Sequence, residues 1–300
     1  MSIKVITYEG LKDGPSLVLL GNIHGNEYCG YRGLSTLIRD IDEEKYIVNA
    51  GRLIIIPMCN PKANKISKRY VDRDLNRNLF PPKINSKYED YLANIICPIL
   101  DSADFLVDLH SFGAKGEAMV MFGGENETET KFARALGFKN YLYGWREFHG
   151  ISEEDTVYQG TTEYARKSGC RAVTVECGSN SDANSERVAY IAALRAAIHL
   201  SILVPPEDPD IETIVYNKNE QQCARITKEV IMRHGMVPVE SFTNFQFIKR
   251  KQMLCTISDT ESIMSECDGY VIMPSEKAII GDIFFTIAKS CTFPEGKYNN

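Results

Sequence analysis

The sequence predicts an α/β protein with a mixed sheet flanked by helices, followed by a small β domain. Two observations carry this. Through the first two-thirds of the 300 residues, short apolar runs alternate with segments of helical period. Past the stretch PPEDPD (Pro205 to Asp210), the segments become short, β-rich and punctuated by turn residues. The expected division is a catalytic domain over residues 1–204 and a β domain over 205–300.

The elements follow in order. Ser16 to Asn22 (SLVLLGN) is a continuous apolar run, the signature of a strand buried on both faces. Glu27 to Asp42 has helical spacing, with Tyr31, Leu34, Leu37, Ile38 and Ile41 on one side. Arg52 to Met58 (RLIIIPM) reads as a second buried strand, and Lys62 to Pro82 as a long polar loop of the kind usually tied to function. Ser86 to Leu100 reads as a helix with Tyr88, Tyr91, Leu92, Ile95 and Ile96 inward, bent or ended at Pro98. Strands are expected at Asp104 to Leu109, Glu117 to Phe122 and Arg171 to Glu176, and helices at Thr128 to Leu136, Thr162 to Lys167 and Ala183 to Leu203. In the β-rich part, strands are expected at Phe245 to Lys249, Leu254 to Ser258, Tyr270 to Met273 and Ile283 to Ala288.

Composition narrows the function classes. A net charge of −6 argues against nucleic acid as a partner, because such binding needs a clustered positive field. The densest basic stretch, Lys62 to Arg77, also carries Asp72 and Asp74 and reads as a site loop. No apolar run approaches the roughly 20 residues of a membrane span, and the start MSIKVITYEG lacks the apolar core of a secretory signal. Nine scattered cysteines without a C-x-x-C pair suggest reduced, mostly buried thiols. A cytoplasmic location is the expectation.

The sharpest local signal is His24-Gly25-Asn26-Glu27, directly after a buried strand. Where a chain turns from strand to helix, side chains three apart can address one ion. His110 ends the strand FLVDLH in the same strand-terminal position, and ligands of open α/β sheets gather at the carboxyl ends of strands. His24, Glu27 and His110 therefore make a three-ligand zinc site with a fourth position for water, one zinc per chain. His149, His199 and His234 have no acidic partner at comparable spacing and strand-end placement. Asp108, two residues before His110, faces the same way in an extended strand; it either orients a ligand or is a solvated strand-end carboxylate. In RYVDRDLNRNLF (Arg69 to Phe80), three arginines with Asn76 and Asn78 suggest a platform for carboxylates.

HGNE, DLNRN, DLHS and VECG, in that order from Leu17 to Ser179, resemble the succinylglutamate desuccinylase/aspartoacylase family of the wider carboxypeptidase-A-like zinc hydrolases. The resemblance implies a zinc-carboxypeptidase-like fold and hydrolysis of an amide in a small carboxylate-bearing substrate, such as an N-acyl amino acid. It implies His24, Glu27 and His110 as zinc ligands and Glu176 as the base that activates zinc-bound water. It gives Arg69 to the developing oxyanion, Asn76 and Arg77 to the substrate carboxylate, and Asp74 to loop support. In aspartoacylase an arginine follows the Thr-Thr pair and contacts the acidic acyl group; here Glu163 follows Thr161-Thr162, with Arg166 a possible substitute. A Glu163 facing the site would repel an acidic acyl group.

The ending DGYVIMPSEKAIIGDIFFTIA (Asp268 to Ala288) resembles the family's small β domain and a biotinyl/lipoyl-type hammerhead. A carrier module needs a lysine at its hairpin tip; the neighbours of Met264 are Ile263 and Ser265, so the part reads as a lid or an element for homo-oligomer assembly. Two other readings remain open: a metallocarboxypeptidase acting on peptides, and a zinc-binding interaction protein without catalysis.

Overall fold

A computed structural model of the chain describes residues 3–150, 157–205 and 220–295. In chain order the elements are β1 (Ile6–Glu9), β2 (Lys12–Gly21), α1 (Cys29–Asp42), β3 (Ile47–Val48), β4 (Ala50–Ile56), α2 (Pro61–Lys65), α3 (Tyr88–Asp101) and β5 (Phe105–Phe112). They continue with β6 (Met119–Met121), α4 (Glu127–Ala135), β7 (Asn140–Tyr143), α5 (Trp145–Phe148), α6 (Thr161–Lys167), β8 (Arg171–Ser179), α7 (Ser185–His199) and β9 (Leu203–Val204). Then come β10 (Gln222–Ile231), β11 (Val237–Pro238), β12 (Gln246–Ile248), β13 (Met253–Thr256), β14 (Ser262–Met264), β15 (Gly269–Ile272) and β16 (Ile283–Cys291).

One mixed sheet organises the molecule, in the order β1-β4-β2-β5-β8-β6-β7-β10-β16-β15-β12. Its centre, β4-β2-β5-β8, is parallel, which is why these strands read as near-continuous apolar runs: helices cover both faces. Leu17, Leu19, Leu53, Ile55, Val107, Leu109, Val173 and Val175 pack with α1, α4 and α7 on one face. Val18, Leu20, Ile54, Ile56, Leu106 and Ala172 pack with α3 and α6 on the other. Strict alternation puts Asp108, His110, Thr174 and Glu176 on the α3/α6 face as well.

The β-rich part continues this sheet. β10 pairs in parallel with β7, and β16, β15 and β12 follow outward; β11, β13 and β14 form a separate three-stranded sheet. Of the expected boundary PPEDPD, only Pro205 lies within the described residues. All nine cysteines are free and seven of them are buried, as small apolar side chains would be. No helix among the described residues is long and apolar enough to cross a membrane.

Several elements differ from expectation. In α3, Tyr91 and Ile95 face solvent, at 55% and 42% exposed. The inward stripe is Glu89, Leu92, Ala93, Ile96, Cys97 and Leu100, because Glu89 and Asp90 turn inward to bind the preceding loop. The helix also continues through Pro98 to Asp101. α7 stops at His199; Ser201 turns with a positive φ, and Leu203 and Val204 pair with β3 rather than extending the helix. The long loop after β4 begins with the short helix α2, capped by Asn60, whose side chain accepts from the Ala63 amide at 3.3 Å.

Candidate metal centre and active site

The candidate metal-binding group is assembled by two strand ends and a turn. After β2 the chain makes a tight turn in which the Glu27 amide donates to the His24 carbonyl at 3.0 Å. Asn22, in a left-handed conformation, spans the turn, its side-chain amide donating to the carbonyls of His24 and Glu27 at 3.0 and 2.9 Å. Glu27 thus sits in the turn itself and α1 begins two residues later. Gly25 is demanded by a close approach: a Cβ there would lie 2.2 Å from the Ala63 backbone of α2. This contact holds the turn against the loop that carries Arg69, whose carbonyl accepts from the Gly25 amide at 3.1 Å.

His110 arrives on β5. Its Nδ1 lies 2.9 Å from Glu27 Oε2, and His24 Nδ1 lies 2.9 Å from Glu27 Oε1. All three side chains are buried, and among the described residues they form one group whose ligand atoms lie within 4.8 Å of one another. Two imidazoles and a carboxylate suit zinc. Burial alone would raise Glu27, but His24 and His110 outweigh it and hold the group below the usual carboxylate range. Burial likewise works against a charged His110; the carboxylates of Asp108 and Glu27 outweigh it and raise its pKa well above the ordinary value.

The remaining ring nitrogens are fixed by two aspartates. Asp108 Oδ2 lies 2.9 Å from His110 Nε2, and Asp74 Oδ1 lies 3.1 Å from His24 Nε2. Asp108 thus holds the His110 ring instead of lying solvated at the strand end, and Asp74 contacts His24 as well as belonging to its loop. Burial would raise Asp74, yet the His24 and Arg69 charges keep it below the usual range. The two aspartates are themselves linked. The Thr161 hydroxyl donates to Asp108 Oδ2, the Thr161 amide donates to Asn76 Oδ1 at 2.9 Å, and the Asn76 amide donates to Asp74 Oδ1 at 2.9 Å. A closed ring of polar contacts thus ties both histidines to the start of α6, an arrangement that fixes ring orientation.

Glu176 is positioned by sheet register. It stands opposite His110 on the neighbouring parallel strand, on the same face. One of its carboxylate oxygens is buried with no hydrogen-bond partner among the described residues. Burial pushes its pKa up to about 7, with His110 pulling the other way. Arg69 donates from Nε to Asp74 Oδ2 at 2.9 Å and from Nη1 to Glu27 Oε1 at 3.4 Å, so its guanidinium lies beside the cluster. Arg77 Nη1 donates to the Asn76 carbonyl at 2.7 Å, and the guanidinium has no carboxylate partner among the described residues. The three expected metal ligands line one cavity of about 1160 Å³ together with Glu176, Arg69, Asn76 and Arg77.

Three contributions were not read from the sequence. The buried Glu89 accepts from the amides of Val71, Asp72 and Arg73 at 2.7, 3.0 and 3.2 Å and so shapes the loop that presents Arg69. Gln159 and Leu79 exchange hydrogen bonds that pin the far end of that loop. Met273 to Lys277, from the β-rich part, form one wall of the cavity, held by Asn244, whose Oδ1 accepts from the Met273 amide at 2.9 Å. The other three histidines are elsewhere; His149, for one, stacks on Tyr158 and lies 3.3 Å from Glu229.

Known proteins bear on this geometry. Residues 13–202 match the family model of the succinylglutamate desuccinylase/aspartoacylase catalytic domain. An N-alpha-acetyl-L-2,4-diaminobutyric acid deacetylase of Halomonas elongata is 34% identical over 108 residues, covering 34% of this chain and 30% of the relative. A probable aspartoacylase of a Nostoc species is 27% identical over 136 residues, 42% of this chain and 45% of the relative. The chain thus spans less than half the length of these two relatives. A succinylglutamate desuccinylase of Pseudomonas syringae is 24% identical over 291 residues, covering 88% of this chain and 80% of the relative. The solved structure of a Rhodobacter sphaeroides succinylglutamate desuccinylase/aspartoacylase has the same fold, with a TM-score of 0.76 at 19% identity over 97% of this chain and 89% of the other. With its family model matched from β2 through α7 and this fold around the site, the chain belongs to the succinylglutamate desuccinylase/aspartoacylase family.

Proposed function

We propose that this chain is a zinc-dependent amidohydrolase that cleaves a small N-acyl amino acid. The observation that carries the reading is the register of β5 and β8. It sets a buried carboxylate oxygen of Glu176, unpartnered among the described residues, beside the group of His24, Glu27 and His110, in a cavity that Arg69 and Arg77 also line.

Bound by these three ligands, zinc would supply a Lewis acid for the amide carbonyl and an acidified water. Glu176 accepts the proton of the attacking water at its free oxygen and returns it to the amine nitrogen as that departs. Its elevated pKa suits both steps. Arg69 offers a guanidinium to the carbonyl oxygen as negative charge develops. Asn76 already commits its side-chain oxygen to Thr161, which leaves its amide nitrogen to donate, together with Arg77, to the substrate's carboxylate. The names of the relatives, a deacetylase, an aspartoacylase and a desuccinylase, support deacylation.

The test is a panel of N-acyl amino acids and short peptides offered to zinc-loaded protein. Turnover of the N-acyl amino acids is expected. Turnover of peptides alone would replace the reading with a carboxypeptidase, and turnover of neither with a binding protein.

A further inference from the structure

The cysteines take no part in the proposed hydrolysis, and among the described residues two pairs of them are hydrogen-bonded. Cys29 and Cys177 are sealed in the core, at 4% and 2% exposed. The other pair, Cys223 and Cys291, sits where the β-rich part joins the rest of the sheet. Cys223, near the start of β10, is the register partner of Tyr141 on β7 to one side and of Cys291, the last residue of β16, to the other. Directly opposed residues of an antiparallel pair have Cα atoms about 4.5–5.5 Å apart, inside the roughly 4.4–6.8 Å that a disulfide spans. Both side chains pack on the same core cluster, with Tyr141, Tyr143 and Phe293, and the Cys223 thiol is hydrogen-bonded to Cys291 Sγ. The two sulfurs already face each other.

Access separates this pair from the first. Cys223 is buried, but Cys291 is half-buried and lines a second cavity, of about 460 Å³, with Tyr143, Glu147, Arg225 and Lys289. Its Sγ lies 3.8 Å from the Tyr143 hydroxyl, and Arg225 pairs with Glu147 at 2.5 Å on the same cavity wall. The hydrogen bond from Cys223, the Tyr143 hydroxyl and the charges of Arg225 and Lys289 bring the Cys291 thiol down to about 7, against the effect of burial. The bond to Cys291 and burial act on Cys223 in the opposite sense and hold its proton in place. One thiol is therefore accessible and readily ionised, and its neighbour is protonated and in reach, the arrangement of an attacking and a resolving cysteine.

We propose that Cys223 and Cys291 form a redox modification site, a dithiol that hydrogen peroxide closes to a disulfide fastening β16 to β10. The Cys291 thiolate attacks one peroxide oxygen and the O–O bond breaks. The departing hydroxide takes up the proton that Cys291 released and leaves as water, and Cys291 becomes a sulfenic acid. The Cys223 sulfur then attacks the Cys291 sulfur. The S–S bond forms as the S–O bond breaks, and the Cys223 proton departs with the hydroxyl as a second water. The two thiols lose two electrons and one peroxide is reduced. The bond encloses β11 to β15 in a covalent loop, which constrains the unfolded chain. It stands at the opposite end of β16 from the strand residue nearest the Met273–Lys277 wall, so it acts on the stability of the β-rich part.

The test treats the reduced, folded full chain with a small excess of hydrogen peroxide, alkylates the remaining thiols in denaturant and maps the peptides. The expected result is the loss of two hydrogen atoms by intact mass and a peptide joining Cys223 to Cys291, reopened by dithiothreitol. The closed form is expected to melt at least about 4 °C above the reduced form. In Cys223→Ala the reaction is expected to stop at a sulfenic acid on Cys291, trapped by dimedone. In Cys291→Ser, Cys223 is expected to remain a thiol at the same dose. Oxidation that joins Cys29 to Cys177 first, that links separate chains, or that leaves Cys223 and Cys291 open to alkylation overturns the proposal, as does a closed form that melts no higher than the reduced one. The wild-type map decides the pairing even where a variant fails to fold.

Discussion

Glu176 and His110 face each other across two parallel strands, and each depends on neighbours that pull in opposite directions. In the proposed mechanism Glu176 must stay available to a proton, and one of its oxygens is buried without a hydrogen-bond partner among the described residues. Glu176→Gln keeps the shape and removes the base; kcat/KM is expected to fall about 10²–10⁴-fold with bound zinc unchanged. A base works only when deprotonated, so activity falls as pH drops through its pKa. Burial sets that near 7 in the absence of metal, and a bound dication favours the carboxylate, so the acid limb of the pH–rate profile is expected at or below about 7. His110 needs its ring held. Asp108→Asn removes the charge at its Nε2 and should weaken zinc affinity about 10–100-fold, measured by competition with a chromogenic chelator. Asp108 was visible in the sequence as a side chain on the ligand's face. Its link through Thr161 to Asn76 and Asp74 was not, because those partners are brought together only by the packing of α6.

The loop between α2 and α3 shows what an element needs beyond its motif. Arg69, Asp74, Asn76 and Arg77 were legible because they are close in sequence and of chemically distinctive types. What shapes the loop is Glu89, the second residue of the next helix, and it carries no such signal: it binds backbone amides, which look alike at every residue. The same residue explains why the inward stripe of α3 differs from the apolar reading. A carboxylate occupies an inward position because three amides compensate its burial, while Tyr91 and Ile95 stay outside. Glu89→Ala strands those amides, at about 1–3 kcal/mol for each left unpaired. The expected outcome is a lower Tm with zinc bound and a rise in KM larger than any fall in kcat, read by calorimetry and steady-state kinetics.

At the scale of the whole molecule, the alternation of apolar runs and helices disclosed the parallel centre of the sheet, and the composition change disclosed the β-rich remainder. How the two join was not legible. β7 and β10, the strands that join them, are short or half polar, and neither was expected from the sequence. We propose that the division near residue 205 separates roles more than folding units: the first part carries the catalytic side chains and the second closes the pocket with Met273 to Lys277. A chain ending at Val204 would bare the β7 edge together with Met119 and Leu142, which pack against Ala224, Ile226 and Tyr270. Such a chain is expected to aggregate on size-exclusion chromatography, where an independent domain would elute as a monodisperse species.

The central claim is that His24, Glu27 and His110 hold one zinc that this chain uses to hydrolyse an N-acyl amino acid. The most direct measurement strips the protein of metal and titrates zinc back while following hydrolysis of an N-acetyl amino acid. The account predicts no activity at the start, a linear rise, and saturation at one zinc per chain. Activity that survives stripping, or that fails to return when one zinc per chain is bound, would contradict it.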